Sequence, residues 1–245
     1  MLLSDKLLER NDVLKTIKKR RSVRMFSDKA ISEEDILTLL QAANQAPSAH
    51  NQQSWRFIIV RGERKSELVN FISSHSVNFP KPSSVLLRMA SRTIQEAPVL
   101  IAIANSGELI KHGIELFKVN PVRDNGRFAN KDGSITPPSA TSDLYPRHLS
   151  GVFSNGVKKE ISYDFFRTME IQSSAAAVQN LLLAATSLGI GAVWLGILYI
   201  MKDEILQFLE EPKGEFMAVV PVGYPLKPMK GPYKRPLETL IKNLE

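Results

Sequence analysis

Residues 171–201 read IQSSAAAVQNLLLAATSLGIGAVWLGILYIM, and this run contains no Asp, Glu, Lys, Arg or His. Its first part is rich in Ala and Leu, which favours a helix that ends at Gly189. Apolar or small residues cover nearly every face of this helix, so the pattern predicts that it is buried on all sides. The small residues from Ser173 to Ala177 would let another helix approach closely. We therefore expect the fold to be organised around this helix.

The turn after the helix, GIGAVWLG at residues 189–196, can approach a ligand closely because glycine has no Cβ atom. It does not match the dinucleotide fingerprint G-x-G-x-x-G, and it follows a helix instead of a strand. Gln172 and Asn180 interrupt the charge-free run, and its purely apolar part from Leu188 to Met201 is shorter than the roughly 20 residues of a membrane span. The pattern predicts a buried helix and a ligand-facing turn, without membrane insertion.

Composition and charge limit the possible classes of function. The chain has 245 residues, no cysteine and a net charge of +7. The lack of cysteine excludes disulfides, thiolate metal sites and cysteine nucleophiles. The positive charge suits an anionic ligand or a nucleic acid. The four histidines are scattered without ligand spacing, so we predict no metal site. The N-terminal residues lack the apolar core of a signal peptide, from which we expect a cytoplasmic location.

Outward from the central run, helices and strands are predicted to alternate. Asp12 is the predicted N-cap of a first helix and Ser32 that of a second helix, which we expect to end at Pro47. Further helices are predicted at 63–73, 84–96 and 202–210, and strands at 55–60, 98–105 and 216–224. This order predicts a layered α/β or α+β domain with a small sheet.

Residues 106–163 differ from the rest of the chain because they hold several turn dipeptides and little hydrophobic periodicity. A long irregular stretch inside a compact domain is usually functional or disordered. We interpret it as an insertion in one domain that spans residues 1–245.

Four segments carry candidate binding chemistry. Residues 20–24, RRSVR, place three guanidinium groups beside a hydroxyl, and arginine makes bidentate, charge-assisted bonds to phosphate. A solvated helix end or a nucleic-acid patch would give the same run. Residues 46–55, APSAHNQQSW, offer amide groups that suit a flat heterocycle, although a plain polar loop would contain them too. The glycine turn at 189–196 adds backbone N–H groups, and KRPLE at 234–238 adds cations.

In this order and at these separations, the four segments resemble the nitroreductase-like flavoproteins, which bind FMN. The resemblance rests on RRSVRMF, APSAHNQQSWRFIIV, LGIGAVWLG and PVGYPLKPMKGPYKRPLE, and it covers most of the chain outside residues 106–163. It implies an α+β fold in which helices flank a small, antiparallel-dominated mixed sheet. It also implies an intertwined homodimer with FMN at the subunit interface.

The resemblance further implies roles for individual residues. The residues that would hold the phosphate and the ribityl and pyrimidine side are Arg20, Arg21, Ser22 and Arg24, with one more cation at the phosphate from Lys234 or Arg235. The residues that would line the flavin, some of them from the partner subunit, are Pro47, Ser48, Asn51 and Gln53. The residues that would cross the isoalloxazine, with a backbone N–H near N5, are Trp194, Leu195 and Gly196. No side chain is assigned as a catalytic acid or base, because the cofactor would carry the chemistry.

The implied function is an FMN-dependent oxidoreductase that passes hydride from NADH or NADPH through flavin N5 to an oxidised small molecule, such as a nitroaromatic or quinone, in a ping-pong order. Two alternatives stay open: a flavin-binding or flavin-storing protein without turnover, and a branch specialised in reductive dehalogenation. RRSVR and the VGYP…KRPLE ending also resemble the iodotyrosine deiodinases, but residues 70–96 lack the Glu…Tyr…Lys lid pattern of that branch. Ser54 replaces the proline that many members carry before the tryptophan, and His50 is unusual. No nucleic-acid partner is expected.

Overall fold

The computed structural model describes residues 6–107, 109–110, 122–124, 127–129, 159–211 and 214–243. Its strands are β1 (Trp55–Val60), β2 (Val99–Asn105), β3 (Val122–Asp124), β4 (Arg127–Ala129), β5 (Gly191–Ala192) and β6 (Glu215–Gly223). Its named helices are α1 (Asp12–Lys19), α2 (Glu33–Asn44), α3 (Gly62–His75), α4 (Lys81–Glu96), α5 (Lys159–Ser187) and α6 (Lys202–Phe208).

A four-stranded antiparallel sheet, in the order β1-β2-β6-β5, forms the centre of the fold. Every residue of β2 is buried, as is every residue of β6 after Glu215. Helices α2 and α5 cover one face of the sheet, and α3, α4 and α6 cover the other, so that each face has its own apolar core. Burial on both faces explains why the two central strands are continuous apolar runs. The predicted α+β fold with an antiparallel-dominated sheet is confirmed.

The central helix α5 begins at Lys159, well before the charge-free run. One side, with Ala177, Leu181 and Ala185, is fully buried against the sheet and α2, whereas Gln172 and Gln179 on the opposite side are exposed. In a single chain the sheet and α2 lie on only one side of the helix, so the predicted burial on every side would need a second chain and stays a prediction.

The small residues at 173–177 are divided between the buried and the outward sides of the helix. Ser173, Ser174 and Ala177 are buried against their own chain, and only Ala175 and Ala176 are partly exposed. The outward face of α5 carries no charged side chain between residues 171 and 187.

The helix boundaries correct the predicted ones in small ways. The N-cap of α1 is Asn11, whose Oδ1 accepts a hydrogen bond from the Leu14 N–H at 3.0 Å, and Asp12 is already the first helical residue. Ser32 caps α2 as predicted, with its Oγ accepting from the Asp35 N–H at 3.0 Å. Helix α2 ends at Asn44, ahead of Pro47, and α4 begins at Lys81.

Most of the predicted insertion at 106–163 lies outside the described residues. Within it, β3 and β4 pair in antiparallel orientation, and α5 begins. Across the described parts of the chain, no helix combines the length and the apolar character that crossing a membrane requires.

Candidate cofactor site

The arginine segment at residues 20–26 lies between β5 and the residues that follow β6. Ser22 forms a parallel bridge with Ala192 of β5, and the Val23 N–H donates to the Ala192 carbonyl at 3.1 Å. Further along, the Leu226 N–H donates to the Met25 carbonyl at 3.1 Å. A Cβ on Gly191 would lie 2.8 Å from the side chain of Val23, so glycine is what allows the segment to pack against β5.

Arg21 is half-buried at the centre of this segment. Its Nη1 donates to the carbonyls of Lys18 at 2.6 Å and Arg20 at 2.7 Å. Its Nε is buried and has no hydrogen-bond partner among the described residues. Gly231 packs directly against the guanidinium, because an added Cβ there would lie 2.6 Å from Nε. The C-terminal segment that carries Lys234 and Arg235 thus passes beside the arginines.

The other predicted residues of this segment have different environments. Arg20 follows the last turn of α1, and both Arg20 and Ser22 are half-buried. Arg24 is exposed, and its guanidinium makes one long contact of 3.4 Å to the Ser22 carbonyl. Lys234 and Arg235 are exposed on the extended segment after β6. A half-buried guanidinium with an unsatisfied donor, flanked by exposed cations, fits a phosphate ligand.

The glycine turn continues from β5 on the same surface. The Leu195 N–H donates to the Val219 carbonyl of β6 at 3.0 Å, so it is already engaged within the chain. The side chain of Leu195 is buried, whereas Trp194 is 37% exposed. Gly196 begins a short 3₁₀ helix, Gly196–Met201, and an added Cβ at Gly196 would meet nothing within 4 Å. Trp194 and Gly196 therefore border open space, whereas Leu195 between them packs into the core.

The Ser48–Gln53 loop holds the remaining predicted flavin contacts in a strained conformation. His50, Asn51 and Gln53 have positive φ angles of 52°, 54° and 49°. Non-glycine residues in sparsely populated regions of this kind cost about 1–3 kcal/mol each and are often associated with functional sites. Asn tolerates this region better than most residues.

Several hydrogen bonds hold the loop in this shape. The Ser48 Oγ accepts from the Gln53 N–H at 3.1 Å, and the Gln53 Nε2 donates to the Asn51 Oδ1 at 2.9 Å. The Ala49 N–H donates to the hydroxyl of Ser173 on α5 at 3.1 Å. Pro47 is exposed at the start of the loop. The loop's polar side chains are thus arranged by bonds inside the loop and by one bond to the central helix.

The structure brings three of the four predicted segments together and keeps the fourth apart. The Ser48–Gln53 loop leads into Trp55, which aligns through β2 with Glu215 at the start of β6. Ala192, beside the arginines, pairs with Val222 near the other end of β6. A strand rises about 3.3 Å per residue, and neighbouring strands lie about 4.8 Å apart. Trp55 and Ala192 are therefore roughly 23 Å apart along the strands and roughly 14 Å apart across them. Within one chain they lie at opposite corners of the sheet.

A polar cluster that the sequence analysis did not identify supports the segment after the turn. Arg167 on α5 donates to both carboxylate oxygens of Glu215, at 2.6 and 3.3 Å, and to the Tyr199 hydroxyl at 2.8 Å. Burial by itself raises the pKa of Glu215. The hydrogen bonds and positive charge of Arg167 lower it by more, so the pKa of Glu215 lies below its usual value. The pKa of Arg167 is raised by the same pair. This cluster joins α5, the 3₁₀ helix and β6.

A cavity of about 490 Å³ lies on the outward face of α5. Its lining consists of Asp164, Phe165, Thr168, Met169 and Gln172. None of these five side chains is cationic, so the cavity offers a phosphate no charge of the kind that the arginine segment carries.

Comparison with known proteins identifies the class. A model of the nitroreductase family matches residues 17–224, and the chain belongs to that family. The chain is 27% identical over 219 residues to an Archaeoglobus fulgidus protein named "Putative NADH dehydrogenase/NAD(P)H nitroreductase", covering 87% of this chain and 86% of the relative. It is 47% identical over 47 residues to an iodotyrosine deiodinase from Thermotoga neapolitana, covering 19% of this chain and 25% of the relative.

A solved structure shares the fold. A nitroreductase with bound FMN from Bacteroides fragilis superposes with a TM-score of 0.60 at 20% identity, covering 96% of this chain and 100% of that protein. The family and the fold expected from the sequence are thus both confirmed.

Proposed function

We propose that this protein is an FMN-dependent oxidoreductase that takes hydride from NADH or NADPH and passes it to an oxidised small molecule, such as a nitroaromatic or quinone. The observation that carries the proposal is the surface formed by the arginine segment, the glycine turn and the C-terminal cations. The half-buried guanidinium of Arg21 borders that surface, and its Nε is a donor without a partner among the described residues. The name of the Archaeoglobus fulgidus relative and the FMN in a structural neighbour support the same assignment.

The proposed roles of the residues follow from their placement. Arg21 and Arg24, with Lys234 or Arg235, would bind the phosphate through charge-assisted hydrogen bonds. Trp194 and Gly196 border open space and would face the isoalloxazine. Because the Leu195 N–H is engaged by Val219, the N–H near N5 would come from a neighbouring residue. When bound, FMN supplies the hydride chemistry at N5.

We propose further that the active unit is a homodimer in which each flavin contacts both chains. The Ser48–Gln53 loop lies at the corner of the sheet opposite the arginine segment, so one flavin cannot reach both within a single chain. A two-fold axis would bring the loop of one chain beside the arginines of the other. The surfaces that this partner would cover are the outward face of α5 between residues 171 and 187, which carries no charge, and the exposed C-terminal residues 226–243.

The test begins with the purified protein. We expect it to be yellow, and heat release followed by chromatography should yield FMN and not FAD. Mixing with NADH or NADPH under anaerobic conditions should bleach the flavin absorbance rapidly, and a nitroaromatic or quinone should restore it. Recovery of FAD alone, or no uptake of FMN on reconstitution, would refute the cofactor assignment. Bound FMN that neither nicotinamide reduces would favour the flavin-binding alternative.

Reductive dehalogenation is the second candidate, favoured by the short match to a deiodinase. A halogenated phenol offered to the reduced protein separates the two functions. Release of halide at a rate above that of nitroaromatic reduction would favour dehalogenation.

A further inference from the structure

The hydroxyl of Ser173 joins the central helix to the Ser48–Gln53 loop across 124 positions of the sequence. Its Oγ accepts the hydrogen bond from the Ala49 N–H at 3.1 Å and donates to the Met169 carbonyl of its own helix at 2.7 Å. The residue is only 7% exposed. Ser173 therefore holds the loop from inside the molecule, on an element that packs against the sheet.

The Ala49 N–H is the first donor of the 3₁₀ turn Ala49–Asn51. The first N–H groups of a helical turn have no partner within the turn, and Ser48, which precedes it, makes no side-chain bond to cap them. Ser173 supplies that acceptor from α5. Directly after Ala49 come the left-handed residues His50 and Asn51, whose φ angles persist only where the surroundings impose them.

We propose that Ser173 is a positioning residue for the flavin: its hydroxyl anchors the Ser48–Gln53 loop and thereby sets where Ser48 and Asn51 meet the isoalloxazine. This inference rests on the proposed function, since it takes the loop to contact FMN. Without the hydroxyl, the Ala49 N–H loses its acceptor and the turn is no longer fixed to the helix. The loop is then less ordered in the free protein. Part of the binding free energy of FMN must order it, so the affinity for FMN falls.

The experiment removes this hydrogen bond from both sides. Ser173→Ala deletes the acceptor. Ala49→Pro deletes the donor, and proline suits the first position of a turn, particularly after Ser48, whose φ of −135° and ψ of 151° match the region preferred before proline. The control is Ser174→Ala, which removes the neighbouring buried hydroxyl that accepts from Asn105 at 3.0 Å and does not contact the loop.

We expect Ser173→Ala and Ala49→Pro each to raise the Kd for FMN about three- to tenfold. A change of this size corresponds to the loss of one hydrogen bond between neutral groups. Both should also shift the flavin midpoint potential, which a loss of stability alone would not do. Ser174→Ala should leave both quantities unchanged, and Ser173→Thr, which keeps the hydroxyl, should restore them. The double variant Ser173→Ala/Ala49→Pro should be no worse than either single variant, because both remove the same bond.

Each outcome decides the proposal. Equal effects of Ser173→Ala and Ser174→Ala would overturn it, as would additive effects of Ser173→Ala and Ala49→Pro. If Ser173→Ala does not fold, Ala49→Pro with an unchanged Kd and potential would overturn it too. Wild-type protein that takes up no FMN would refute the proposed function as well, whereas FMN-loaded wild type with unaffected variants would refute only the positioning role.

Discussion

At the residue scale, Arg24 offers a direct test of the phosphate site. Its side chain is exposed and makes one long contact of 3.4 Å, so the fold does not depend on it. Arg24→Ala should weaken FMN binding by about 1.5–3 kcal/mol, the contribution of a hydrogen bond to a charged group, without lowering the free energy of unfolding. Flavin titration and denaturant unfolding measure the two quantities.

The control for this variant is Arg92→Ala, which removes an exposed arginine on α4 that pairs only with Glu96 among its described contacts. It should leave FMN affinity unchanged. Equal affinity of wild type and Arg24→Ala would remove Arg24 from the site.

Gly231 tests the neighbouring arginine without removing it. In Gly231→Ala, the new Cβ would lie 2.6–2.7 Å from the guanidinium of Arg21, so this flexible side chain must move aside. We expect FMN affinity to fall while the unfolding free energy changes by less than about 0.5 kcal/mol, as for a surface substitution. A combined Arg21→Ala/Gly231→Ala variant should bind FMN no more weakly than Arg21→Ala. A further loss in the double variant would show that Gly231 acts by another route.

Residue types pointed to the chemistry of the site, but not to its conformation. Three arginines beside a serine predict a phosphate contact from their donors alone. The left-handed conformation of Gln53 has no comparable signal, because glutamine usually adopts a negative φ angle and only the surrounding bonds impose the positive one. The cap of α1 shows a similar limit: Asn11 and Asp12 are adjacent and equally suited, and only the structure decides between them.

At the element scale, the strands could be predicted because burial leaves a compositional signature. Strands β1, β2 and β6 are short, predominantly apolar runs that contain several Val and Ile residues, and all three were predicted within one residue at either end. The first twelve residues of α5 could not be joined to the rest of the helix, because their charged and polar residues resemble the irregular segment before them. The Arg167–Glu215 pair was missed because its partners lie 48 residues apart.

That pair allows a prediction about stability against pH. The pKa of Glu215 is lowered in the folded protein, so the pair stabilises the fold at pH values above the unfolded pKa, which is about 4.3 for glutamate. The stabilisation is lost as the pH falls through the lower, folded pKa. Glu215→Gln should cost roughly 1–3 kcal/mol near pH 7 and progressively less below about pH 4.

Denaturant unfolding of wild type and Glu215→Gln across this range measures the difference. Glu63→Gln is a suitable control, because Glu63 is exposed on α3, outside the proposed interface, and should give nearly the same curve as wild type. A difference between wild type and Glu215→Gln that stays constant down to pH 3 would show that the ion pair is not its source.

At the scale of the whole molecule, the placement of the site depended on the order of the strands. The four segments could be recognised in the sequence, and their chemistry suggested one ligand. That three of them share a surface while the Ser48–Gln53 loop lies at the far corner follows from the order β1-β2-β6-β5 and its registers. Strand order is set by packing across the whole domain, so no local pattern of residues contains it.

The last prediction concerns the homodimer. In one chain, Ala176 lies on the partly exposed outward face of α5, so a glutamate there can keep its charge in water and should cost little. In a dimer that covers this face, the same charge would be buried without a partner and should cost several kcal/mol. Ala176→Glu should therefore shift the protein towards monomers, and FMN affinity should fall with it, because each flavin would need the loop of the second chain.

Light scattering at low micromolar concentration, combined with flavin titration, measures both effects. Gln95→Glu introduces the same charge at an exposed position on α4, outside the proposed interface, and should remain a flavin-loaded dimer. The wild-type interface should bury about 2,000–5,000 Å², as obligate dimers do, so wild type should stay dimeric on dilution. A folded wild-type monomer that retains FMN would contradict both the dimer and the shared site. An Ala176→Glu variant that remains dimeric would exclude the outward face of α5 from the interface, and the exposed C-terminal residues would then have to form it.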